Sequence, residues 1–239
     1  MSEKRINIIT IGVILSLFLA SMESTVVATA MPSIVAQLGG LSIYSWVFSI
    51  YMLTSTTTVP IYGKVSDLFG RKRVYTFSMV LFLIGSVLCG LADSMESLIV
   101  FRGIQGLGAG GVLPMALTAI GELFSVEKRA KMQGLISSVW GLSSVIGPLV
   151  GGFLVDKFSW EWVFFINLIP GILAILVVWF AWIDQERPSR KSIPLDVTGT
   201  VILTVGVLSL LLGLSSLEYS SSSWFILTSA AFFGSLVYV

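Results

Sequence analysis

The sequence predicts an all-α membrane protein: a six-helix transmembrane bundle followed by two further transmembrane helices. Three observations carry this. Hydrophobic residues make up 55% of the 239 and charged residues only 11%, whereas soluble domains carry about 25% charged residues. No soluble core could hide so much apolar surface, so part of the solvent must be lipid. The apolar residues form eight segments, most near the ~20 residues that cross a hydrocarbon layer about 30 Å thick. Basic residues gather in alternate connections between these segments. Polar-in alternation is lacking, which argues against a barrel. Helices are the other way to satisfy a backbone in lipid.

The first segment is Ile8–Ala30. Lys4 and Arg5 before it, and Ala28-Thr29-Ala30 at its end, mimic a signal peptide and its cleavage site. The length of the stretch, the interrupting Glu23 and the closely following Pro32 favour a retained helix. The next five segments are Tyr44–Tyr62, Val74–Leu91, Leu98–Ile120, Met132–Val155 and Trp162–Ile183. Residues 1–183 would form the bundle and 184–196 a cytoplasmic linker. Residues 197–239 would supply accessory helices, Val197–Leu217 and Trp224–Val239. The last has 16 residues, about 24 Å of helix at 1.5 Å per residue. It lacks a basic cytoplasmic end, so a truncated chain is expected.

Orientation follows from Lys and Arg placement. Lys4 and Arg5 precede the first segment. Lys64, Arg71, Lys72 and Arg73 lie between the second and third; Lys128, Arg129 and Lys131 between the fourth and fifth; Arg187, Arg190 and Lys191 between the sixth and seventh. The intervening connections hold only Lys157. This places the amino terminus in the cytoplasm.

Composition excludes several functions. A net charge of +1 leaves no polyanion footprint, so no nucleic-acid partner is expected. One cysteine, Cys89, rules out an internal disulfide framework and a Cys-based zinc cluster. No HExxH, GxSxG or Walker-type sequence occurs, so neither an enzyme nor a cofactor or metal site is expected. Histidine is absent, so a side chain that carries protons near neutral pH would have to be a carboxylate.

Gly63-Lys64-Val65-Ser66-Asp67-Leu68-Phe69-Gly70-Arg71-Lys72-Arg73 is a charged turn between two apolar segments. Gly63 and Gly70 permit close approach and tight turning. Asp67 can cap a helix amino terminus, and Arg71, Lys72 and Arg73 suit the inner leaflet interface. The spacing G-x-x-x-D-x-x-G-R-K-R resembles the cytoplasmic loop signature of the major facilitator superfamily of secondary transporters.

Four further stretches support that resemblance. Arg102 lies inside the fourth segment, where arginine is expensive and usually functional. With Gln105, Gly106, Gly108, Gly110 and Gly111 it forms R-x-x-Q-G-x-G-x-G. This resembles the superfamily's fourth-helix motif, whose arginine is implicated in proton transfer; the glycines also suit close helix packing. A dinucleotide loop is disfavoured, because no strand precedes them. Glu23 is the deep acid of the chain. Its surroundings resemble the first-helix motif of drug:proton antiporters, where aspartate is commoner.

Glu23 lies roughly 10–13 Å from the outer end of its helix and Arg102 roughly 6–9 Å from the outer end of its own. They can therefore pair, either to exchange a proton or as a structural ion pair. Burial disfavours the carboxylate and a nearby arginine favours it. Gly141, Gly147-Pro148 and Gly151-Gly152 resemble the fifth-helix motif of antiporters, and would allow a close, bent helix contact. Trp160 to Pro170 resembles the W-x-W-x-F-x-x-N-x-P run of 14-span, EmrB/QacA-type drug antiporters. Here Glu161 replaces the usual basic residue. The tryptophans also suit an outer interfacial belt. Glu122 resembles the acid that pairs with the basic loop, or is a solvated helix-end charge.

The resemblance implies the amino-terminal part of a proton-coupled drug exporter in the plasma membrane of a bacterium. Glu23 and Arg102 would couple protons. Gly63, Asp67, Gly70, Arg71, Lys72 and Glu122 would form a conformational gate. The partners would be the bilayer, protons, a small hydrophobic substrate and a carboxy-terminal half. Two alternatives are a facilitator-fold exporter of one metabolite (an amino acid, siderophore or lipid) and a membrane subunit that transports nothing. Deep charge argues against the subunit.

Overall fold

With no water to bond in lipid, apolar runs of this length close their backbone ladders internally as helices. The computed structural model describes residues 3–182 and positions 202, 205 and 206. Among the residues 3–182 the helices are α1 (Glu3–Leu38), α2 (Trp46–Phe69), α3 (Arg71–Gly90), α4 (Met95–Leu123), α5 (Val126–Lys157), α6 (Trp162–Phe165) and α7 (Leu168–Ala181). The stretches α1, α3, α4, α5 and α6 with α7 are long and apolar enough to cross a membrane. Apart from the three described positions, residues 183–239 lie outside the described part of the chain. That includes the expected linker and both expected accessory helices.

Three local expectations are corrected. First, the stretch Gly63–Arg73 is not an extended aqueous loop. α2 continues through Asp67 to Phe69 and α3 begins at Arg71, so Gly70 alone joins them. Its φ of 88° is left-handed, which glycine adopts without a Cβ clash and other residues rarely do. Asp67 therefore lies in the last turn of α2 rather than at the start of α3. Gly63 makes no close approach, because nothing among the described residues lies within 4 Å of a Cβ built there. Second, the sixth span is interrupted at Ile166 and Asn167, between α6 and α7. Pro170 has no N–H to offer the Ile166 carbonyl, so the ladder loses a rung there. Third, Trp160 is buried against protein and donates to Gln37 Oε1 at 2.8 Å rather than facing outward. Trp162 is the exposed one.

α2 is long enough to span, at 24 residues, but rich in Ser and Thr. Its hydroxyls return to carbonyls one turn back: Thr54 to Ile50 at 2.8 Å, Thr57 to Leu53 at 2.7 Å and Thr58 to Thr54 at 2.8 Å. Bonded in this way, they can sit in an apolar setting without unpaired donors.

α4 packs between α2 and α3, while α1 packs against α5 and α7. Small residues set the α4 approach. A Cβ on Gly106 would overlap Thr54 and the Tyr51 backbone of α2, and one on Gly108 the Phe82 backbone of α3. Two large apolar clusters, and a smaller one of Tyr51, Phe82, Leu83 and Ala109, fill the interior of the described bundle. Of the large two, one holds Leu17, Tyr75, Met79, Met115 and Val178, and the other Val26, Ile34, Val47, Leu98 and Phe164. Along α1 they meet between Leu17 and Met22, and Glu23 follows directly at the edge of the second. The outer surface stays apolar, with Ile11, Phe77, Leu149, Ile169 and Phe180 exposed, as lipid contact requires. Arg5 of α1 donates to the Ala181 carbonyl at 2.7 Å, closing the end of α7 and holding both ends of the bundle on one side.

Candidate functional site

Glu23 and Arg102 are both fully buried, at 1% and 0% exposure, and form an ion pair of 2.7 Å between Arg102 Nη1 and Glu23 Oε1. A membrane-buried pair survives only if its remaining polar atoms are also bonded. Gln105 lies one turn beyond Arg102 on the same face of α4. Its Oε1 accepts from Arg102 Nη1 at 2.8 Å and its Nε2 donates to Glu23 Oε1 at 2.9 Å. The other carboxylate oxygen, Oε2, accepts from Asn167 Nδ2 at 2.7 Å. Asn167 reaches it from the interruption between α6 and α7. The same Nδ2 donates to Ser86 Oγ of α3 at 3.0 Å, and Ser86 donates to the Phe164 carbonyl at 2.8 Å.

The guanidinium is held from α2 as well. Arg102 Nε donates to the Val47 carbonyl at 3.3 Å, and its Cζ lies 4.1 Å from the centre of the Tyr51 ring. A cation over an aromatic face is attracted by the ring quadrupole, more strongly where water is excluded. Arg102 Nη2 finds no acceptor among the described residues. Helices α1, α2, α3 and α4 and the α6–α7 junction thus all contribute to one buried polar centre in an apolar bundle. Chemically, it holds one ionisable acid whose charge is balanced by one arginine and two amides.

A second constellation lies at the α2–α3 end. Arg71 Nη1 meets Glu122 Oε1 at 2.6 Å, and its Nη2 lies 3.7 Å from Asp67 Oδ1. Arg71 therefore links the end of α2, the start of α3 and the end of α4. The Glu122 contact is the shorter and better covered, since Asp67 is 63% exposed. On the same side Lys72 Nζ stands 4.6 Å from the centre of the Trp179 ring on α7.

The fifth-helix residues divide by face. A Cβ on Gly147 would collide with Thr25, and one on Gly151 would press on Val26 and Thr29, so these two set the close approach of α5 to α1. Ser21 Oγ donates to Ser143 Oγ at 2.6 Å in the same seam. Gly141 and Gly152 have nothing within 4 Å of a built Cβ, and Pro148 is exposed. Among the described residues, the seam thus uses only part of the motif. Cys89 is buried, with its Sγ 3.6 Å from Gln105 Oε1.

Sequence reasoning singles out Glu23 and Arg102 and misses the roles of Asn167, Ser86 and Tyr51. Asn167 stands inside the Trp160–Pro170 run, and an amide three residues before a proline in an apolar segment is an available signal. Ser86 and Tyr51 give none. Among the described residues, no group of three or more His, Cys, Asp or Glu side chains is arranged to hold a metal.

Comparisons with known proteins agree with this architecture. The sequence profile described as "Major Facilitator Superfamily" matches residues 13–239. Multidrug transporter protein MdtP of Bacillus subtilis is 48% identical over 227 residues, covering 94% of this chain and 41% of that protein. Multidrug resistance protein 3 of the same organism is 44% identical over 206 residues, covering 86% and 40%. The chain therefore spans about two fifths of the length of these curated relatives. Among solved structures, the POT family transporter PepTSo superposes with a TM-score of 0.67 at 15% identity, over 98% of this chain and 52% of that one. The proton:xylose symporter XylE gives 0.67 at 15% identity, over 98% and 54%. At such identities the structural matches establish the fold alone.

Proposed function

This chain belongs to the major facilitator superfamily, a superfamily of membrane transporters, and from that premise we propose that it forms the amino-terminal part of a 14-span antiporter. That antiporter exports hydrophobic, often cationic compounds in exchange for protons. The observation that carries the reading is Glu23, a buried carboxylate inside a transmembrane bundle, bonded to Arg102, Gln105 and Asn167. A charge in that position is costly and is rarely kept without a function. The names of the two Bacillus relatives support the drug reading.

In this mechanism a proton moving down its gradient neutralises Glu23, and its bond to Arg102 weakens from ion pair to neutral hydrogen bond. The altered pairing favours the opposite-facing conformation, and a compound leaves as the proton enters. Apolar walls around one carboxylate would accept many substrates, because hydrophobic pockets discriminate weakly. Asp67, Arg71 and Glu122, with Gly63, Gly70 and Lys72 around them, act as a lock on the inner face. Gly141, Gly147, Pro148, Gly151 and Gly152 shape the contacts of α5. Alternating access needs a second bundle moving against this one about a shared site. The amino terminus is cytoplasmic, which agrees with the basic residues of the alternate connections, and the membrane is a bacterial plasma membrane, a reading supported by the organism of the two Bacillus relatives.

The test is proton-driven uptake of a fluorescent cationic drug into inverted membrane vesicles containing the transporter. Glu23→Gln should abolish uptake and Glu23→Asp should retain part of it. Full gradient-driven uptake in the Gln variant would refute the reading.

A further inference from the structure

We propose that Asn167 is the positioning residue that reads the charge state of Glu23 and passes it, through Ser86, to the turn joining α6 and α7. The proposal rests on the reading of Glu23 as the proton carrier.

Around the ionised carboxylate, the hydrogen bonds run toward Glu23. Oε1 accepts from Arg102 Nη1 at 2.7 Å and from Gln105 Nε2 at 2.9 Å, while Oε2 accepts from Asn167 Nδ2 at 2.7 Å. A proton arriving from water adds to Oε2, the oxygen with a single donor among the described residues, and makes it an O–H that needs an acceptor. Leaving such a buried group unpaired would be costly, so the neighbours must rearrange to accept it.

Two neighbouring amides carry a carbonyl oxygen, and only one of them is free to turn. Gln105 Oε1 already accepts from Arg102 Nη1 at 2.8 Å. Reversing that amide would set its NH2 against the guanidinium, donor facing donor. Asn167 has a different second partner, the Ser86 hydroxyl at 3.0 Å, and a hydroxyl can donate as readily as it accepts. Half a turn of the Asn167 amide puts Oδ1 where Nδ2 now lies. Oδ1 then accepts from both the protonated Glu23 and the Ser86 hydroxyl.

Ser86 cannot make that bond and also keep its present one, a 2.8 Å donation to the Phe164 carbonyl. That carbonyl sits at the α6–α7 junction. It also accepts from the Asn167 N–H, at 3.2 Å in a tight i+3 turn, and Pro170 nearby supplies no N–H to the ladder. The junction is therefore the weakly bonded section of the sixth span, and the reversal removes one of its ties.

The proton count balances: one proton passes from water to Oε2 and no other group changes charge. Among the described residues, the groups facing Glu23 that could titrate or carry charge are Arg102 of α4, Tyr51 of α2 and Cys89 of α3. α5 keeps its charges at its ends, Glu127 to Lys131 and Asp156 with Lys157, and α6 and α7 carry none.

Two measurements on the protein reconstituted in lipid test this. Infrared difference spectra across pH follow the Glu23 carboxyl band, identified by its loss in Glu23→Gln. Hydrogen exchange read by mass spectrometry follows residues 164–171, corrected for the intrinsic effect of pH. In the unmutated protein, exchange at the junction should change by about threefold or more as the carboxyl band appears. In Asn167→Ala and in Ser86→Ala the band should still titrate while the exchange change disappears. Persistence of that change in either variant overturns the relay. A Glu23 band that never titrates defeats the proton-carrier reading. A band that titrates over a silent junction in the unmutated protein defeats the relay alone. Should Asn167→Ala fail to fold, Ser86→Ala, which deletes one hydroxyl, decides the matter.

Discussion

Replacing Arg102 by leucine while Glu23 remains should be among the most damaging single changes in the described bundle. Replacing both should be far milder. Arg102 is fully buried and makes the 2.7 Å pair with Glu23, a 2.8 Å bond to Gln105 and a 3.3 Å bond to the Val47 carbonyl. Its loss leaves the carboxylate with two amide donors and no counter-charge. Breaking one side of a buried pair costs about 3–5 kcal/mol at a pH where the carboxylate stays ionised. In the double variant, Glu23→Gln with Arg102→Leu, no charge remains, and the amide introduced in place of the carboxylate can still bond Gln105 and Asn167. Its destabilisation should fall to about 1–2 kcal/mol, because replacing both partners of a buried pair is often close to neutral. The double variant should therefore recover about 2–3 kcal/mol relative to Arg102→Leu alone, and the full cycle, with Glu23→Gln as its other single variant, measures the coupling. The assay is reversible unfolding in mixed micelles, followed by tryptophan fluorescence, for the unmutated protein, both single variants and the double. If the single costs simply add, the two side chains do not depend on each other and the description of the buried centre fails.

Gly106→Val should lower the unfolding midpoint strongly, costing about 1–3 kcal/mol or more, because its side chain would enter Thr54 and the Tyr51 backbone. Gly141→Ala, with open space around the new methyl among the described residues, should leave stability unchanged or raise it by up to about 1 kcal/mol through helix propensity; thermal unfolding of the pair side by side checks the contrast. Gly70→Ala must hold φ 88° and ψ 144° with a Cβ, at a cost of about 1–3 kcal/mol, visible as a lower unfolding midpoint. Asp67→Asn should slow transport and leave equilibrium substrate binding nearly unchanged, since Asp67 lies at the exposed end of α2, far along the chain from Glu23; a binding loss with intact turnover, read by ligand titration and vesicle uptake, would contradict this.

Much of the described architecture followed from the sequence because lipid leaves a backbone few choices. An apolar run of about twenty residues must close its own hydrogen bonds, so Ile8–Ala30, Val74–Leu91, Leu98–Ile120 and Met132–Val155 could be expected as helices without knowing their neighbours. Glu23 and Arg102 were equally visible, since a charge within such a run stands out against its surroundings. The reach of α2 through Asp67 and the interruption at Asn167 were harder to read. The first depends on whether Gly70 turns the chain alone, and the second on how Pro170 and the surrounding helices share the missing hydrogen bond. Nor could the chain order alone join Asn167 to Glu23, 144 positions away, or assign Ser86 and Tyr51 to the same centre. Hydroxyls, amides and tyrosines occur on many helix faces at little cost. Within the described residues, the apolar helices and the charges that interrupt them were legible in the chain, because both follow from local transfer energies. Which neutral donors surround that charge was not legible there, because the rotation and spacing of each helix come from its packing, down to the glycines that let α4 sit between α2 and α3.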